Sequence, residues 1–247
     1  MQIPADEGPL NPQLGPRWSQ MFKDLTGLMK YNSASRMANP VCELVFGEGQ
    51  TMPLQRKREL ASVLRMLKPE KMDVVMEIGG DTAGTFFHWL NYLDSSRACC
   101  IEIRGVPYAQ PFHDYFGPDR DLLFIDEPSG DCVEEVEEWL ANPKQGRLDR
   151  LKKLDMLFID GAKDQMYLDW TRYAHLVRPG GIIMIHDILT PTCGAQFDKV
   201  AQRYDKVARI IDTSEGLTHE QLPPSRYKEW LPQWLTNACG FGIVQVP

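Results

Sequence analysis

The six cysteines (Cys42, Cys99, Cys100, Cys132, Cys193 and Cys239) include no CxxC spacing. They read as reduced, structural thiols, with Cys99 and Cys100 inside an apparent buried strand where a thiol behaves as a small hydrophobe. Reduced thiols favour a cytoplasmic setting. No apolar run approaches the length of a membrane span, and no basic stretch precedes an apolar one near the N-terminus. Neither a membrane segment nor a signal peptide is therefore expected. A long basic tract is missing too: 27 Lys and Arg stand against 34 Asp and Glu, a net charge of −7. Nucleic acid is thus disfavoured as a partner. The local cluster Arg147, Arg150, Lys152 and Lys153 reads as a solvated helix end. There is no internal repeat, no low-complexity tract, and no Ser-His-Asp or Cys-His arrangement that would mark a covalent nucleophile.

What is present is a mixture of helix and strand patterns in 247 residues, 43% hydrophobic and 25% charged. That fits one α/β domain with extensions. Residues 1–53, with prolines early and Gly, Asn, Ser and Pro later, read as an arm and lid; a short helix is expected at 21–29. Residues 54–247 form the domain. Its organising stretch is LDMLFIDGAKDQMYLDWTRYAHLVRPGGIIMIHDI, residues 154–188. An apolar run at 156–159 stops at Asp160, as a buried parallel strand does. Tyr167, Trp170, Tyr173, Ala174 and Val177 follow at helical spacing. Arg178-Pro179-Gly180-Gly181 is expected to stop that helix and turn the chain. A second buried strand, 182–185, ends at His186-Asp187. Two parallel strands with a crossover helix place their polar ends on one sheet edge, where ligands of open α/β sheets bind.

Further elements flank this unit. A helix is expected at 54–67, a strand at 73–76 running into Glu77, and a helix at 85–93 in which His88 is a packing or surface residue. Strands follow at 98–103 and 122–125, separated by a polar, aromatic-rich connection at 105–119. A helix at 132–140 carries Glu134, Glu135, Glu137 and Glu138 as a solvated face. After the organising stretch come a helix at 195–204, a strand at 207–211, an insertion at 217–236 containing Trp230 and Trp234, and a last strand at 240–246.

A strand ending in Glu77, followed by Ile78-Gly79-Gly80-Asp81-Thr82-Ala83-Gly84 and then a helix, lets backbone approach a ligand at a helix N-terminus. Asp81 and Ala83 break the dinucleotide fingerprint, and an acid where a pyrophosphate would sit is unfavourable, so a cofactor without phosphates fits better. Glu102, at the end of the next strand, is placed to accept both hydroxyl protons of a ribose. An adenosine ligand follows from the two together.

Glu77-x-Gly79 with Ala83-Gly84-Thr85, then Glu102, FIDGAKDQMY and LVRPGGIIMIHDI, resembles the class I S-adenosylmethionine-dependent methyltransferases. Within them it resembles the divalent-metal-dependent small-molecule O-methyltransferases: the catechol and caffeoyl-CoA enzymes, and the cephalosporin hydroxylase-like, macrolide-sugar group. The FID-G…RPGG…HDI pattern and the late GFGIVQV strand most resemble the last. The resemblance spans roughly residues 55–246. It implies a Rossmann-like fold with a mostly parallel seven-stranded sheet and helices on both faces. It also implies S-adenosylmethionine contacts from Glu77, Gly79, Gly80, Asp81, Gly84, Glu102, Asp126, Ser129 and Asp160. Two departures are Asp81 in place of a usual glycine and the blurred loop Asp126-Glu127-Pro128-Ser129.

Asp160, His186 and Asp187, at the ends of two neighbouring strands, suit an octahedral cation that keeps waters for substrate oxygens, Mg²⁺ first. By resemblance these three are the metal ligands. A histidine in the set also allows Mn²⁺, Fe²⁺ or Zn²⁺, or no metal. Lys163 completes D-x-x-K, and by resemblance is the general base. Its other reading is a helix-start lysine paired with Asp164 or solvent, and His186 is the base instead if it binds no metal. An iron-oxygenase reading ranks low because His175 sits mid-helix, away from the strand edge. The expected activity is methyl transfer to a hydroxyl of a small molecule such as a sugar, polyketide or phenolic, with a homo-oligomer left open. The alternatives are a non-catalytic binding subunit with the same fold, and a methyltransferase acting on nitrogen or nucleic acid.

Overall fold

The computed structural model describes residues 55, 57–67, 70–81, 83–105, 109–143, 152–211 and 240–247. The N-terminal arm, the helix expected at 21–29, Cys42, Cys239, Arg147, Arg150 and the Trp230/Trp234 insertion lie outside these residues.

The parallel strands are short apolar runs that are buried along their whole length. β1 (Val74–Ile78), β2 (Arg97–Ile101) and β4 (Leu154–Ile159) expose no residue, as expected of a sheet covered on both faces. β3 (Asp121–Ile125), β5 (Val177–Ile185), β6 (Val207–Ile210) and β7 (Phe241–Gln245) complete a seven-stranded sheet in the order β3-β2-β1-β4-β5-β7-β6. Only β7 is antiparallel to its neighbours. Alternate residues face opposite cores. Val75, Ala98, Cys100, Met156 and Phe158 pack against α1 (Lys57–Leu67), α2 (Gly84–Leu93) and α3 (Ala109–Phe116). Met76, Cys99, Ile101, Leu157 and Ile159 pack against α4 (Val133–Ala141), α5 (Met166–Tyr173) and α6 (Pro191–Ala201).

Two expectations need correction. The connection at 105–119 contains α3, whose Pro111 sits in the first turn, where no amide donor is needed. α3 is held by Phe112, packed tilted or edge-on among Phe86, Phe87 and Phe124 at centroid distances of 5.6 to 6.0 Å. Arg178-Pro179-Gly180-Gly181 is not a turn between helix and strand. The helix ends at Tyr173, one 3₁₀ turn (Ala174–Leu176) carries His175, and β5 has already begun at Val177. Val177 pairs with Leu154 and Ile182 with Met156, so residues 178–181 bulge out of the ladder. The bulge is tied down by Gly180 N–H to the Val246 carbonyl and Val246 N–H to the Gly181 carbonyl, both 2.9 Å.

Other expectations hold. His88 is buried and packs edge-on to Phe87. Glu134, Glu135, Glu137 and Glu138 are exposed, while Val136 and Leu140 face the core. Cys99, Cys100, Cys132 and Cys193 are free and buried, and burial pushes the thiols of Cys99 and Cys100 well above their ordinary range. No described helix is long and apolar enough to cross a membrane.

Candidate functional site

The chain runs outward from β1 through β2 to β3, then returns to β4 beside β1. The topological switch therefore lies between β1 and β4, and a crevice opens there at the carboxyl ends of the strands. A cavity of about 770 Å³ occupies it. Its floor depends on Gly79, whose φ of +86° turns the chain out of β1. A Cβ there would lie 2.5 Å from the Gly161 backbone, so the loops after β1 and β4 approach each other only through glycine.

Glu102 lies at one side. Its Oε2 accepts the backbone N–H of Asp81 at 2.8 Å, and its Oε1 accepts the backbone N–H and Nε–H of Arg104, both at 3.1 Å. Arg104 also reaches Asp81 Oδ1 at 2.6 Å. On the other side stand Asp160, Lys163, His186 and Asp187. Lys163 Nζ is 2.6 Å from both Asp160 Oδ1 and Asp187 Oδ2. His186 Nδ1 is 3.2 Å from Asp160 Oδ1 and 3.1 Å from Asp187 Oδ1. The His186 ring is held against Phe241 at 4.8 Å, and its Nε2 is buried with no partner among the described residues. Asp187 has a φ of +58°, uncommon for a residue with a side chain and a sign of constraint at this position.

Burial disfavours charge on each member of this cluster, and the neighbours overrule it. Burial raises the Asp160 carboxyl, but Lys163 and His186 bring it well below the ordinary carboxylate range. Lys163 is lowered by burial and raised further by Asp160 and Asp187, so it stands above an ordinary lysine. His186 follows the same pattern and is raised overall. As placed, Lys163 is an ammonium clamped between two carboxylates.

Gly79, Asp81, Glu102, Ser129, Asp160, Lys163, His186 and Asp187 all line the cavity. Glu77, Gly80, Gly84 and Asp126 do not line it. Glu77 points to the opposite side of β1, where Trp89 Nε1 donates to it at 2.8 Å, and burial followed by the nearby Asp160 raises its carboxyl well above the usual range. Gly80 backs onto Cys100, Gly84 is buried as the first residue of α2, and Asp126 is exposed. Asp160, His186 and Asp187 each offer one ligand atom, all within 4.8 Å of one another. Two carboxylates and one imidazole at that spacing fit a divalent cation.

Two residues that the sequence reading missed belong to this region. Gln55 donates from Nε2 to Asp160 Oδ2 at 2.8 Å, and its Oε1 accepts the Thr85 hydroxyl. Asp169 on α5 is buried and accepts the Ser129 hydroxyl at 2.5 Å. A signal for Asp169 exists: it sits three residues after Met166 and four before Tyr173, both buried, so an acid interrupts the apolar stripe. Gln55 carries no such mark.

A seven-stranded, mostly parallel sheet with β7 reversed and a cavity at the switch point is the Rossmann-like architecture of the class I methyltransferases. No protein-family model matches the sequence, and no curated protein matches it. Among solved structures, a putative caffeoyl-CoA O-methyltransferase from Staphylococcus aureus aligns with a TM-score of 0.57 at 13% identity, covering 91% of this chain and 99% of that one. An O-methyltransferase from Bacillus cereus in complex with SAH aligns with a TM-score of 0.51 at 13% identity, covering 90% of each chain. At that identity the likeness is one of fold.

Proposed function

We propose that the protein transfers the methyl group of S-adenosylmethionine to a hydroxyl of a small molecule, a sugar, polyketide or phenolic. The observation that carries this reading is that one cavity is bordered by Glu102 on one side and by the Asp160–Lys163–His186–Asp187 cluster on the other. A carboxylate at the end of β2 suits the paired hydroxyls of a ribose. The titratable cluster suits an acceptor that must lose a proton as it reacts.

In methyl transfer the carbon–sulfur bond breaks as the carbon–oxygen bond forms, and the acceptor proton leaves to a base. His186 in its neutral form can take that proton, with Asp160 and Asp187 offsetting the charge it gains, while Lys163, held as an ammonium by the same two carboxylates, can take it only after releasing its own proton. Lys163 has the most exposed side chain of the four, at 28%, and so reaches furthest toward an acceptor. In-line displacement demands positioning above all, and this cluster is held by mutual hydrogen bonds. Asp160, His186 and Asp187 would hold a divalent metal, Mg²⁺ first, which when bound lowers the pKa of an acceptor hydroxyl. A metal-free version of the same reaction is favoured by one observation: Lys163 Nζ already lies 2.6 Å from both carboxylates.

The test is calorimetric titration of S-adenosylmethionine into chelator-treated protein, repeated with Mg²⁺ and with Mn²⁺. Saturable binding is expected, and its absence overturns the cofactor assignment. Asp160→Ala should lose metal-dependent heat and slow turnover on the order of 10²- to 10³-fold. Full activity in that variant would overturn the role given to the cluster.

A further inference from the structure

Two carboxylates and an imidazole stand close enough for a divalent ion, but the gap between the carboxylates is already the place of another cation. Lys163 Nζ lies 2.6 Å from Asp160 Oδ1 and 2.6 Å from Asp187 Oδ2. An ion bonded to one oxygen of each carboxylate needs the same gap, at Mg–O distances of about 2.0–2.1 Å. An ammonium and a divalent ion cannot share it, because like charges this close in a mostly buried site repel strongly. The Lys163 backbone is held in place: buried Gln196 donates from Nε2 to its carbonyl at 2.6 Å. Only the side chain is free to yield, and it lines the cavity.

His186 leans the same way. Its Nδ1 is 3.2 Å from Asp160 Oδ1 and 3.1 Å from Asp187 Oδ1, so this is the nitrogen that faces the pair. A bond from Nδ1 to a metal moves the ring proton to Nε2, and ligating histidines ordinarily donate that proton to a carbonyl, carboxylate or water. Nε2 of His186 is buried beside the Phe241 ring with no partner among the described residues. Ligation there leaves a buried N–H unpaired, which is costly. A hydrogen bond from Nδ1–H to the carboxylates does not. Both residues therefore favour the ammonium over the metal.

We propose that Lys163 is the resident cation of the Asp160–Asp187 pair, and that a divalent ion binds there only by displacing the Lys163 ammonium into the cavity. This rests on the metal site of the reading above and not on its cofactor. Lys163 then has two positions, one clamped between the carboxylates and one turned out to the cavity. Entry of the ion and presentation of Lys163 to an acceptor are a single event.

The experiment measures Mn²⁺ affinity of the chelator-treated full chain by electron paramagnetic resonance of the free ion. Lys163→Met keeps an unbranched side chain and removes its charge, and should bind Mn²⁺ on the order of 10- to 100-fold more tightly than the wild type. Adding Asp187→Asn should remove the gain, which locates the ion. In the wild type, saturating Mn²⁺ should raise the rate at which an amine-acylating reagent labels Lys163, read by peptide mass spectrometry. That second measurement decides the matter if Lys163→Met does not fold. The proposal is overturned by Mn²⁺ binding to Lys163→Met no tighter than to the wild type, by binding to neither, by a gain that survives Asp187→Asn, or by labelling of Lys163 unchanged at saturating Mn²⁺. S-adenosylmethionine titrated into the same preparations is read separately. Its binding keeps the cofactor assignment whatever the metal does, and its absence removes that assignment while the Lys163 result stands.

Discussion

At Asp160 a single carboxylate receives Lys163 and His186 on Oδ1 and Gln55 on Oδ2. Gln55 is itself 3% exposed and bonded on its other atom by Thr85, so the orientation of Asp160 is inherited from residues on α2 and just before α1. Gln55→Ala leaves Asp160 Oδ2 and the Thr85 hydroxyl without these partners. Loss of a buried hydrogen-bond partner costs about 1–3 kcal/mol, which should appear as a lower melting temperature. The methyl-transfer rate should fall on the order of 10-fold while cofactor affinity is kept. Gln55→Glu should be worse in rate than Gln55→Ala, because it brings a third carboxylate against Asp160 and Asp187. Equal kcat values for wild type and both variants, measured at saturating cofactor, would show that Asp160 is oriented without Gln55.

Among the elements, β7 shows how close the layers come. It runs antiparallel between β5 and β6, and Gly242 pairs with Ile185 on one side and Arg209 on the other. A Cβ at Gly242 would meet the Phe197 ring of α6 at 2.4 Å, and Phe197 is 1% exposed with no room to retreat. Gly242→Ala should therefore destabilise the fold by about 1–3 kcal/mol through overpacking. Chemical denaturation checks the loss, and Phe197→Leu in the same chain should recover part of it. The β5 bulge at 178–181 follows the same logic. Its glycines turn the chain out of the ladder and back, and an Arg178–Asp155 ion pair anchors it while Asp155 Oδ2 accepts the Val74 N–H at 2.8 Å.

For the whole molecule, the pH dependence of stability carries a signature of the α2 core. Burial lowers the His88 pKa from 6.5 to about 4. The unfolded chain therefore takes up a proton before the folded one does. His88's contribution is fully present above pH 6.5, is lost as pH falls toward 4, and changes little below that. The difference corresponds to about 3 kcal/mol. Glu77 acts in the opposite sense: burial raises its carboxyl, so the stability linked to it falls as pH rises above 4.5. Comparison of denaturation midpoints of wild type and His88→Leu from pH 7 to pH 4 isolates the first effect. The variant should lack that part of the slope, and identical slopes would place His88 in a wetter environment than α2 provides.

Local pattern was enough to read most strands and helices, because a buried parallel strand is a continuous apolar run and a packed helix is a stripe at 3.6 spacing. Residues 156–159, 182–185, Glu102 and His186-Asp187 announce themselves that way, and strand ends are where polar groups meet a crevice. Other features depended on partners remote in the chain. Val177 looks like the last residue of a helical stripe and becomes a strand residue because Leu154 pairs with it. Glu77 ends an apolar run as a site acid would, yet the pleat of β1 turns it toward Trp89. Gln55 lies 105 residues from the carboxylate it holds, and Asp169 lies 40 from Ser129. Periodicity says which residues share a face. The order of strands in the sheet, a property of the whole chain, decides which faces meet and which side chains reach the same cavity.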